Sequence, residues 1–507
     1  MINMKKKLTT DNLKILFVYA NCMMENLIPV GVSSLLGALR KAGFDVKLFD
    51  TTFYQTESIP ADIERVKNLQ ILPFSYEEAG ISVKQTDVFN DFRCLVQEHK
   101  PDLIMISLVE STYEQGINLL NSIGDERPYT VAGGIFTILS PEETISNKCI
   151  DVVCVGEGED VIVDFCRAYA GGGGYLDMPG MWFKINDGIR KNPIAKLVDL
   201  DNAPFLDFSL YEKERFYKPM QGKIFKMVPV EFSRGCPYRC SYCVNHALER
   251  HFVSSGRWFR SKSIDRIFKE IEEYVNSYKV DFFYFVSESF LSMPPDKFDE
   301  FCERYSEYKI PFWFNTRPET ITKEIVGKLE KINCFRMGIG LEHGNEEFRK
   351  KILNRHVSNQ RIIEACKIVE SSKIGYSINN MIGFPGETRE LIFDTIELNR
   401  QIRPNTVGTF IFTPFKGTDL YKYCLENGHI NTETKVGDLN RLSILKESAL
   451  SDAQIKGLLR TFPLYVHFNK RYYPEIRKAE CFTEEGDLIF KKLANIYINE
   501  HFRKDEK

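Results

Sequence analysis

Strand-like segments alternate with helix-like segments through most of the chain, and this alternation constrains the fold more than any other feature. Runs of β-branched and aromatic residues at positions 13–20, 44–50 and 103–109 are separated by segments whose apolar residues recur at helical spacing. Parallel strands need a crossover of a dozen or more residues, which is usually a helix. The pattern therefore predicts an α/β fold built on parallel sheets.

The length of the chain predicts several domains. Its 507 residues exceed the size of ~250–300 residues at which a single hydrophobic core stops growing. A run of four glycines at 171–174 marks a break, and the alternation resumes after residue 228. Six strand-like segments then fit a complete or partial (β/α)6 TIM-type barrel. We predict a Rossmann-like domain at residues 1–195, a partial barrel at 196–425 and a helical extension at 426–507.

Composition and charge exclude some classes of protein. Hydrophobic residues make up 43% and charged residues 27% of the chain, and the net charge is −3. Neither a nucleic-acid backbone nor an anionic membrane is therefore an expected partner. The apolar runs are shorter than a membrane span, and Asp11 and Lys14 interrupt the stretch that follows the basic start. We expect a cytoplasmic protein.

One group of cysteines is clustered, whereas most of the thirteen stand alone in apolar stretches. Cys236, Cys240 and Cys243 have the spacing C-x3-C-x2-C directly after the strand-like segment 228–232. Thiolates are the ligands that iron–sulfur clusters and zinc prefer. Three thiolates on a short loop would leave one iron of a cubane cluster open to a chelating substrate. We expect the neighbouring Arg234 and Arg239 to offset the negative charge of such a cluster.

Two other interpretations of these cysteines remain open at this point. His246 follows Cys243 by three residues, so a Cys3His zinc site is one alternative. The cysteines could also bind nothing, although three within eight residues are improbable by chance. The spacing favours the iron–sulfur cluster.

Glycines follow two strand-like segments of the N-terminal half. Gly133 and Gly134 follow residues 129–132, and Gly156, Glu157 and Gly158 follow residues 152–155. Open α/β sheets bind ligands at this end of their strands, where glycine lets a flat ligand approach the backbone. Each pair taken alone is also explained as a tight turn between a strand and a helix.

The cysteine loop, with Tyr242 as the aromatic residue before its last cysteine, resembles that of the radical S-adenosylmethionine superfamily. Further segments resemble those of the family in the expected order: 287–288, 315–317, 338–342, 353–355, 380–388 and 414–418. The resemblance implies a [4Fe–4S] cluster on Cys236, Cys240 and Cys243, with S-adenosylmethionine chelated to the fourth iron. One electron from the reduced cluster would then cleave the sulfonium.

The same resemblance implies which residues contact S-adenosylmethionine. Ser287 and Glu288 occupy the position that contacts the methionine amino group, although the family often has two acidic residues there. Glu342 is expected near the ribose hydroxyls, Arg355 at the methionine carboxylate, and Gly383 and Pro385 in a backbone wall beside adenine. The complete set of expected contacts is Tyr242, Ser287, Glu288, Arg317, Glu342, Arg355, Gly383 and Pro385.

The N-terminal half is similar to the cobalamin-binding domain that precedes the barrel in a large subgroup of this superfamily. The expected cobalamin contacts are Val30, Gly31, Ser107, Thr112, Gly133, Gly134, Gly156, Glu157 and Gly158. The D-x-H-x-x-G motif that supplies a histidine ligand to cobalt elsewhere is absent, and no histidine precedes His99. The subgroup often lacks this motif, and the alternative is a degenerate domain without a cofactor.

The resemblance implies a cobalamin-dependent enzyme that methylates an unactivated carbon of a small molecule or peptide natural product. A flavodoxin or ferredoxin is the expected electron donor, and no side chain is identified as a catalytic acid or base. Alternatives with the same cofactors are cyclisation, ring contraction and phosphorus methylation. A methylthiotransferase would need three N-terminal cysteines and a basic nucleic-acid module, and a non-catalytic sensor would not need the S-adenosylmethionine contacts.

Overall fold

The computed structural model describes residues 12–436, 442–446 and 449–502. The chain divides into two compact units. Among the described residues, unit 1 contains 12–61, 76–217 and 247–266, and unit 2 contains 62–75, 218–246 and the residues from 267 onward. This division into compact units does not test the predicted domains at 1–195, 196–425 and 426–507, which stay a prediction.

Unit 1 is built on one seven-stranded sheet. Its strands are β1 (Lys14–Tyr19), β2 (Asp45–Asp50), β3 (Leu103–Ser107), β4 (Tyr129–Gly133), β5 (Val152–Cys154), β6 (Met181–Ile185) and β7 (Gly188–Lys191). The strand order is β2-β1-β3-β4-β5-β6-β7, with β1 to β5 parallel and the hairpin β6–β7 antiparallel to them. The predicted Rossmann-like sheet is confirmed.

The parallel strands are short apolar runs because helices cover both faces of the sheet. In β1 the four central residues are buried, and both ends are half-buried. The helices flanking the sheet are Val30–Lys41, Val88–His99, Tyr113–Asn121, Ile135–Leu139, Pro141–Ser146 and Glu159–Ala170. Asp87 begins the helix Val88–His99 by accepting a hydrogen bond from the Asn90 backbone N–H at 2.7 Å, which is a standard N-cap.

The order of the strands places a ligand crevice at a defined edge of this sheet. Chain order reverses between β1 and its neighbours β2 and β3, and open α/β sheets bind ligands beyond the carboxyl ends of the strands at such a point. The loops that follow β1, β3, β4 and β5 all leave from this edge, because these strands are parallel.

Unit 2 contains a second seven-stranded sheet. Its strands are β8 (Tyr217–Met220), β9 (Lys223–Glu231), β10 (Phe282–Val286), β11 (Phe312–Thr316), β12 (Cys334–Glu342), β13 (Gly375–Ile382) and β14 (Thr406–Ile411). They are ordered from β8 to β14, and β9 to β14 are all parallel. The predicted series of six βα units is confirmed, and the sheet stays open, as a partial barrel does.

The two faces of this sheet differ in burial. In β13 the residues alternate between half-buried and buried, and β11 shows the inverse phase of the same alternation. Phe285, Phe301 and Phe312 form a buried aromatic group between the sheet and the helices. The helices of this unit and those that join it to unit 1 are Val244–His251, Ile264–Tyr278, Pro295–Tyr305, Lys323–Lys331, Glu346–Lys351, Asn359–Glu370, Arg389–Ile402 and Asp419–Glu426.

Two further segments pack on the last strands of this sheet. The C-terminal helices Asp452–His467, Tyr473–Ala479 and Glu484–Tyr497 share a core with Ile382, Val407 and Ile411, which confirms the predicted helical extension. Leu69 joins the same core, and the Gln70 amide donates to the Thr409 carbonyl at 3.0 Å. The segment 62–75, with most of the helix Ala61–Lys67, is therefore part of unit 2.

None of the helices in the described ranges combines the length and the apolar character needed to span a bilayer.

Candidate functional site

The three clustered cysteines lie on a loop at the carboxyl edge of the second sheet. The loop follows β9, and Gly235 turns the chain with φ +87°, in the left-handed region that favours glycine. Cys240 is buried, Cys236 and Cys243 are half-buried, and all three are free thiols. The helix Val244–His251 begins directly after the last cysteine. The short loop therefore presents three sulfur atoms from one side of the sheet edge.

Hydrogen bonds to the segment 352–354 of unit 2 hold this loop in place. The Ser241 backbone N–H donates to the Leu353 carbonyl at 3.1 Å, and its hydroxyl donates to the Ile352 carbonyl at 2.5 Å. The Asn354 amide donates to the Arg239 carbonyl at 2.6 Å. The cysteine loop is thus fixed before any ligand binds, which lowers the cost of gathering three ligands.

A buried arginine supplies the positive charge beside the sulfur atoms. Arg317, which follows β11, donates from Nη1 to Cys240 Sγ at 3.2 Å and lies 3.7 Å from the centre of the Tyr238 ring. Arg234, which we expected to offset the cluster charge, is paired with Glu231, whose Oε1 lies 3.1 Å from Arg234 Nε, and its role stays a prediction. Glu231 precedes Arg234 by three residues, so local pairing takes that guanidinium.

The thiols of the loop need a cation to become thiolates. Burial raises the pKa of Cys236 to about 11 and that of Cys243 to about 12. Neutral thiols are poor metal ligands, whereas a bound metal deprotonates a coordinating thiol outright. The three cysteines therefore suit an iron–sulfur cluster, whose iron ions supply the positive charge that deprotonates the thiols.

The zinc interpretation has no support in the geometry. His246 Nδ1 lies 3.2 Å from Asp419 Oδ2. Within the described ranges, no group of three or more histidine, cysteine and acidic side chains is gathered closely enough to hold a single metal ion. A single zinc ion needs four ligands at about 2.0–2.3 Å, whereas a cubane cluster accepts sulfur ligands that stand farther apart.

Three of the expected S-adenosylmethionine contacts meet in one cluster. Arg355 Nη1 donates to Glu342 Oε1 and to the Tyr242 hydroxyl, both at 3.1 Å, and Nη2 donates to the Gly340 carbonyl at 2.6 Å. Burial raises the pKa of the Glu342 carboxyl, and the charge of Arg355 opposes that rise. Arg355 Nε is buried and has no hydrogen-bond partner in the described chain. Its expected contact with a methionine carboxylate stays a prediction.

Ser287 and Glu288 follow β10 and face different surroundings. The Ser287 hydroxyl is buried and lies 2.6 Å from the Ser233 hydroxyl. The Glu288 side chain is reached by solvent but is crowded by neighbouring atoms, and this desolvation raises the pKa of its carboxyl. A hydrogen bond with Asn245 opposes the shift. Asn245 was missed in the sequence, where nothing distinguishes it from other polar helix residues.

The glycine-rich turn after β13 forms a buried backbone wall. Gly383 has φ +83°, and Gly383, Phe384 and Pro385 are all buried. Glu387 Oε2 accepts hydrogen bonds from the backbone N–H groups of Gly383 and Phe384 at 2.5 and 3.0 Å. The wall lies at the same edge of the sheet as the cysteine loop, because β9 and β13 are parallel strands of one sheet.

The expected cobalamin contacts of unit 1 are brought together in part. A cavity of about 50 Å³ lies at the carboxyl edge of the first sheet, between the ends of strands and the helices Val30–Lys41 and Glu159–Ala170. Its lining includes five of the predicted contacts: Ser107, Gly133, Gly134, Gly156 and Gly158. The remaining lining is largely apolar, so the cavity suits an apolar group better than a charged one.

Gly134 shows why glycine is needed at this edge. Its φ is +98°, and a Cβ atom there would lie 2.4 Å from the Leu108 carbonyl oxygen. At Gly158 a Cβ atom would lie 3.0 Å from Leu35 Cδ2. The clash at Gly134 is with backbone, so this position requires glycine, whereas near Gly158 the flexible Leu35 side chain would have to move by a few tenths of an ångström.

Four expected cobalamin contacts lie outside the cavity lining. Glu157 points to Arg260 and accepts a hydrogen bond from the Val198 backbone N–H at 2.7 Å, so its carboxylate already has partners. Val30 and Gly31 begin the helix Val30–Lys41. Thr112 is buried, and its hydroxyl has no hydrogen-bond partner in the described chain. Their contacts with cobalamin stay predictions.

His99 is in the wrong place to bind a ligand at this edge. Its Nε2 lies 3.3 Å from the carbonyl of Ile15, near the start of β1. Burial lowers the pKa of His99, so its imidazole is neutral at pH 7. The glycine edge lies at the opposite end of the parallel strands, so His99 has a structural role.

Two family models match the chain. The model described as the radical SAM superfamily matches residues 230–398, and the model described as the B12 binding domain matches residues 68–165. The first range contains the three cysteines and all eight expected S-adenosylmethionine contacts. The second contains the glycine edge of the first sheet, but it begins after Val30 and Gly31.

Proteins of known sequence resemble this chain over most of its length. The chain is 23% identical over 413 residues to an uncharacterized methyltransferase of Pyrococcus horikoshii, which covers 80% of this chain and 87% of the relative. It is 24% identical to an anaerobic magnesium-protoporphyrin IX monomethyl ester cyclase of Rubrivivax gelatinosus, over 75% of this chain and 69% of that one.

Solved structures share the fold. The radical S-adenosylmethionine methyltransferase TsrM of Kitasatospora setae, with cobalamin and a [4Fe–4S] cluster bound, is 15% identical, with a TM-score of 0.60 over 83% of this chain and 76% of that one. The cobalamin-dependent S-adenosylmethionine radical enzyme OxsB is 16% identical, with a TM-score of 0.65 over 98% of this chain and 72% of that one. Identities this low show a shared fold.

Proposed function

Because the chain belongs to the radical S-adenosylmethionine superfamily and carries a B12-binding domain, we propose that it methylates an unactivated carbon. The acceptor is a small molecule or a peptide natural product. The cofactors of the enzyme are a [4Fe–4S] cluster, S-adenosylmethionine and cobalamin. One relative and one structural neighbour are named as methyltransferases, which supports methyl transfer over the other reactions of the same cofactors.

The observation that carries the proposal is the anchored cysteine loop at the carboxyl edge of a six-stranded parallel sheet. Arg317 donates to Cys240 Sγ, one of the three sulfur donors, and the Tyr242–Glu342–Arg355 cluster lies at the same edge. Active sites of such barrels form at this edge, from the loops that follow the strands. No other loop in the described ranges presents three cysteines.

The cofactors supply the difficult chemistry: when bound, the reduced cluster gives an electron that cleaves the sulfonium, and cobalamin carries the methyl group. The chain's residues bind and orient. Cys236, Cys240 and Cys243 would hold the cluster, and Arg317 would stabilise the negative charge on its sulfur atoms. Glu288, a carboxylate in a crowded but accessible position, would accept hydrogen bonds from the methionine ammonium.

The nucleoside half of S-adenosylmethionine needs an acceptor for its ribose and a flat wall for its base. Glu342 would accept the ribose hydroxyls, and the buried wall Gly383 to Pro385 would lie beside adenine. In unit 1, the cavity at Ser107, Gly133 and Gly134 would hold part of cobalamin, whose planar groups suit its glycines. These assignments rest on the resemblance of the motifs and on the surroundings described above.

Substrate and electron donor complete the proposal. We propose flavodoxin or ferredoxin as the reductant and a metabolite or peptide as the acceptor. The experiment offers a set of candidate acceptors. The most informative set consists of metabolites made by the products of neighbouring genes.

The test is product analysis under strictly anaerobic conditions. The reconstituted enzyme receives S-adenosylmethionine labelled with a trideuterated methyl group, a reductant, hydroxocobalamin and the candidate acceptors. We expect deoxyadenosine, S-adenosylhomocysteine and an acceptor that has gained the labelled methyl group, as mass spectrometry would show. Cys240→Ala is the matched control and should form none of the three. Deoxyadenosine release without methyl gain in any acceptor would contradict methylation.

A second candidate is radical cyclisation with the same cofactors, because two relatives are named as cyclases. A cyclised acceptor would lose hydrogen and gain no label. The same mass spectra therefore separate the two reactions, and a product lighter than its substrate would favour cyclisation.

A further inference from the structure

A histidine and a glutamate that the function above does not use are paired inside unit 2. His343 and Glu387 are 0% and 1% exposed, and His343 Nε2 lies 3.0 Å from Glu387 Oε1. A buried carboxylate is costly unless it is fully hydrogen-bonded. The remaining polar atoms of the pair must therefore be hydrogen-bonded as well. Their partners show which parts of the chain the pair holds in place.

The carboxylate holds the glycine-rich wall. Its second oxygen, Oε2, accepts hydrogen bonds from the backbone N–H groups of Gly383 at 2.5 Å and Phe384 at 3.0 Å. Gly383 has φ +83°, so the turn depends on contacts that fix this conformation. Glu387 thus fixes the backbone proposed to lie beside adenine.

The imidazole has a defined tautomer. The Asn345 backbone N–H donates to His343 Nδ1 at 3.1 Å, so Nδ1 is an acceptor and carries no proton. The ring hydrogen therefore lies on Nε2 and is donated to Glu387. The ring also stacks on Phe348, with 4.2 Å between centres. The imidazole is therefore oriented from both nitrogen atoms, and its stacking on Phe348 restricts rotation of the ring.

His343 directly follows Glu342, the proposed ribose acceptor. Glu342 has φ +72°, a strained left-handed conformation for a residue with a side chain. Arg349, itself fully buried, donates to the His343 carbonyl at 2.5 Å and to the Val357 carbonyl at 2.7 Å. The backbone that follows the strained residue is therefore held in place by Arg349, and His343 connects it to the adenine wall.

We propose that the His343–Glu387 pair is a positioning device that sets the distance between the ribose acceptor and the adenine wall. It connects the strand end of β12 to the turn after β13 through one buried hydrogen bond. Neither residue contacts the nucleoside in this role; they act through Glu342 and through the backbone of Gly383 and Phe384. The inference rests on the proposed S-adenosylmethionine site.

The test separates the two halves of S-adenosylmethionine. Two probes are used with the reconstituted holoenzyme: 5′-methylthioadenosine, which carries only the nucleoside half, and L-methionine, which carries only the half that chelates iron. Their dissociation constants are measured by equilibrium dialysis for the wild type, His343→Leu, His343→Gln and Glu387→Gln. Iron content and thermal melting are recorded for every variant. The control is His467→Leu, which removes a half-buried histidine at the end of the helix Asp452–His467.

We expect His343→Leu to weaken methylthioadenosine binding about tenfold, because one buried acceptor oxygen loses its donor. Methionine binding and iron content should stay within about twofold, since neither depends on the wall. His343→Gln restores a donor toward Glu387 and should recover most of the affinity. Glu387→Gln should also weaken the nucleoside probe, because both carboxylate oxygens accept hydrogen bonds and either orientation of the amide turns its NH2 group toward a donor. His467→Leu should change melting without changing either affinity.

Three outcomes would overturn the inference. Unchanged methylthioadenosine affinity in His343→Leu would remove the positioning role. An equal loss for both probes, matched by His467→Leu, would reduce the effect to general destabilisation. If His343→Leu does not fold, the other two variants still test the inference. It requires His343→Gln to bind methylthioadenosine more tightly than Glu387→Gln does. Failure of the wild type to hold iron or either probe would instead contradict the proposed function.

Discussion

Removal of Arg355 should destabilise unit 2 strongly, because this guanidinium is the hub of the cluster around Glu342. The change Arg355→Met keeps much of the side-chain length and deletes the donors to Glu342, Gly340 and Tyr242. Arg355 and Glu342 are 3% and 14% exposed, so the carboxylate would lose its ion pair in a nearly dry site. Breaking a buried pair in this way costs roughly 3–5 kcal/mol, a change of about 100-fold or more in the unfolding equilibrium.

The loss should also depend on pH. Burial raises the pKa of Glu342 above its usual 4.5, and Arg355 opposes that rise. Without Arg355, the folded protein holds the Glu342 proton more tightly than the unfolded chain does. The stability of the variant must then fall as pH rises above the unfolded value, so the loss should be smaller at about pH 5 than at about pH 8.

The assay is urea unfolding followed by tryptophan fluorescence. The chain has three tryptophans, and replacing Trp182 and Trp258 with phenylalanine leaves Trp313 of β11 to report on unit 2. The double change Arg355→Met with Glu342→Gln removes the unpaired charge and should recover about half of the loss. A loss below about 1 kcal/mol, or a larger loss at low pH than at high pH, would refute the reasoning.

Two further predictions concern unit 1. Gly134→Ala places a Cβ atom 2.4 Å from the Leu108 carbonyl at φ +98°, so we expect weaker cobalamin binding, measured by the absorption of bound cob(II)alamin after gel filtration. Gly124→Ala is the control for backbone strain, because Gly124 has φ +75° and no atom close to the added Cβ. Arg260→Met leaves the Glu157 carboxylate, whose side chain is 6% exposed, without its arginine, and we expect a loss of about 3 kcal/mol in thermal or urea unfolding. Wild-type stability in Arg260→Met would show that the pair is dispensable.

Much of the fold was predictable because its signals are local. The strand-like segments 13–20, 44–50 and 103–109 contain the strands Lys14–Tyr19, Asp45–Asp50 and Leu103–Ser107. The short strand Tyr217–Met220 was missed, because all four of its residues are half-buried and no alternation marks it. The assignment of segment 62–75 to unit 2 was also missed, because it depends on contacts such as that of Gln70 with Thr409, 339 residues away in sequence.

The site shows the same division between local and distant signals. The three cysteines were found because their spacing within eight residues is itself the motif. The hydrogen bond from Arg317 to Cys240 could not be predicted in this way, because Arg317 reaches Cys240 from a different strand end. The His343–Glu387 pair left no sequence signal, since its partners meet only when two loops of the sheet edge are folded.

The central claim is that three cysteines hold a cluster whose fourth iron remains open to S-adenosylmethionine. The most direct measurement is the electron paramagnetic resonance spectrum of the reduced, anaerobically reconstituted protein, recorded with and without S-adenosylmethionine. We predict about four irons per chain and a spectrum that shifts when S-adenosylmethionine is added. Cys240→Ala should lose both the signal and the iron. A wild-type spectrum that S-adenosylmethionine leaves unchanged, or a full cluster in Cys240→Ala, would contradict the account.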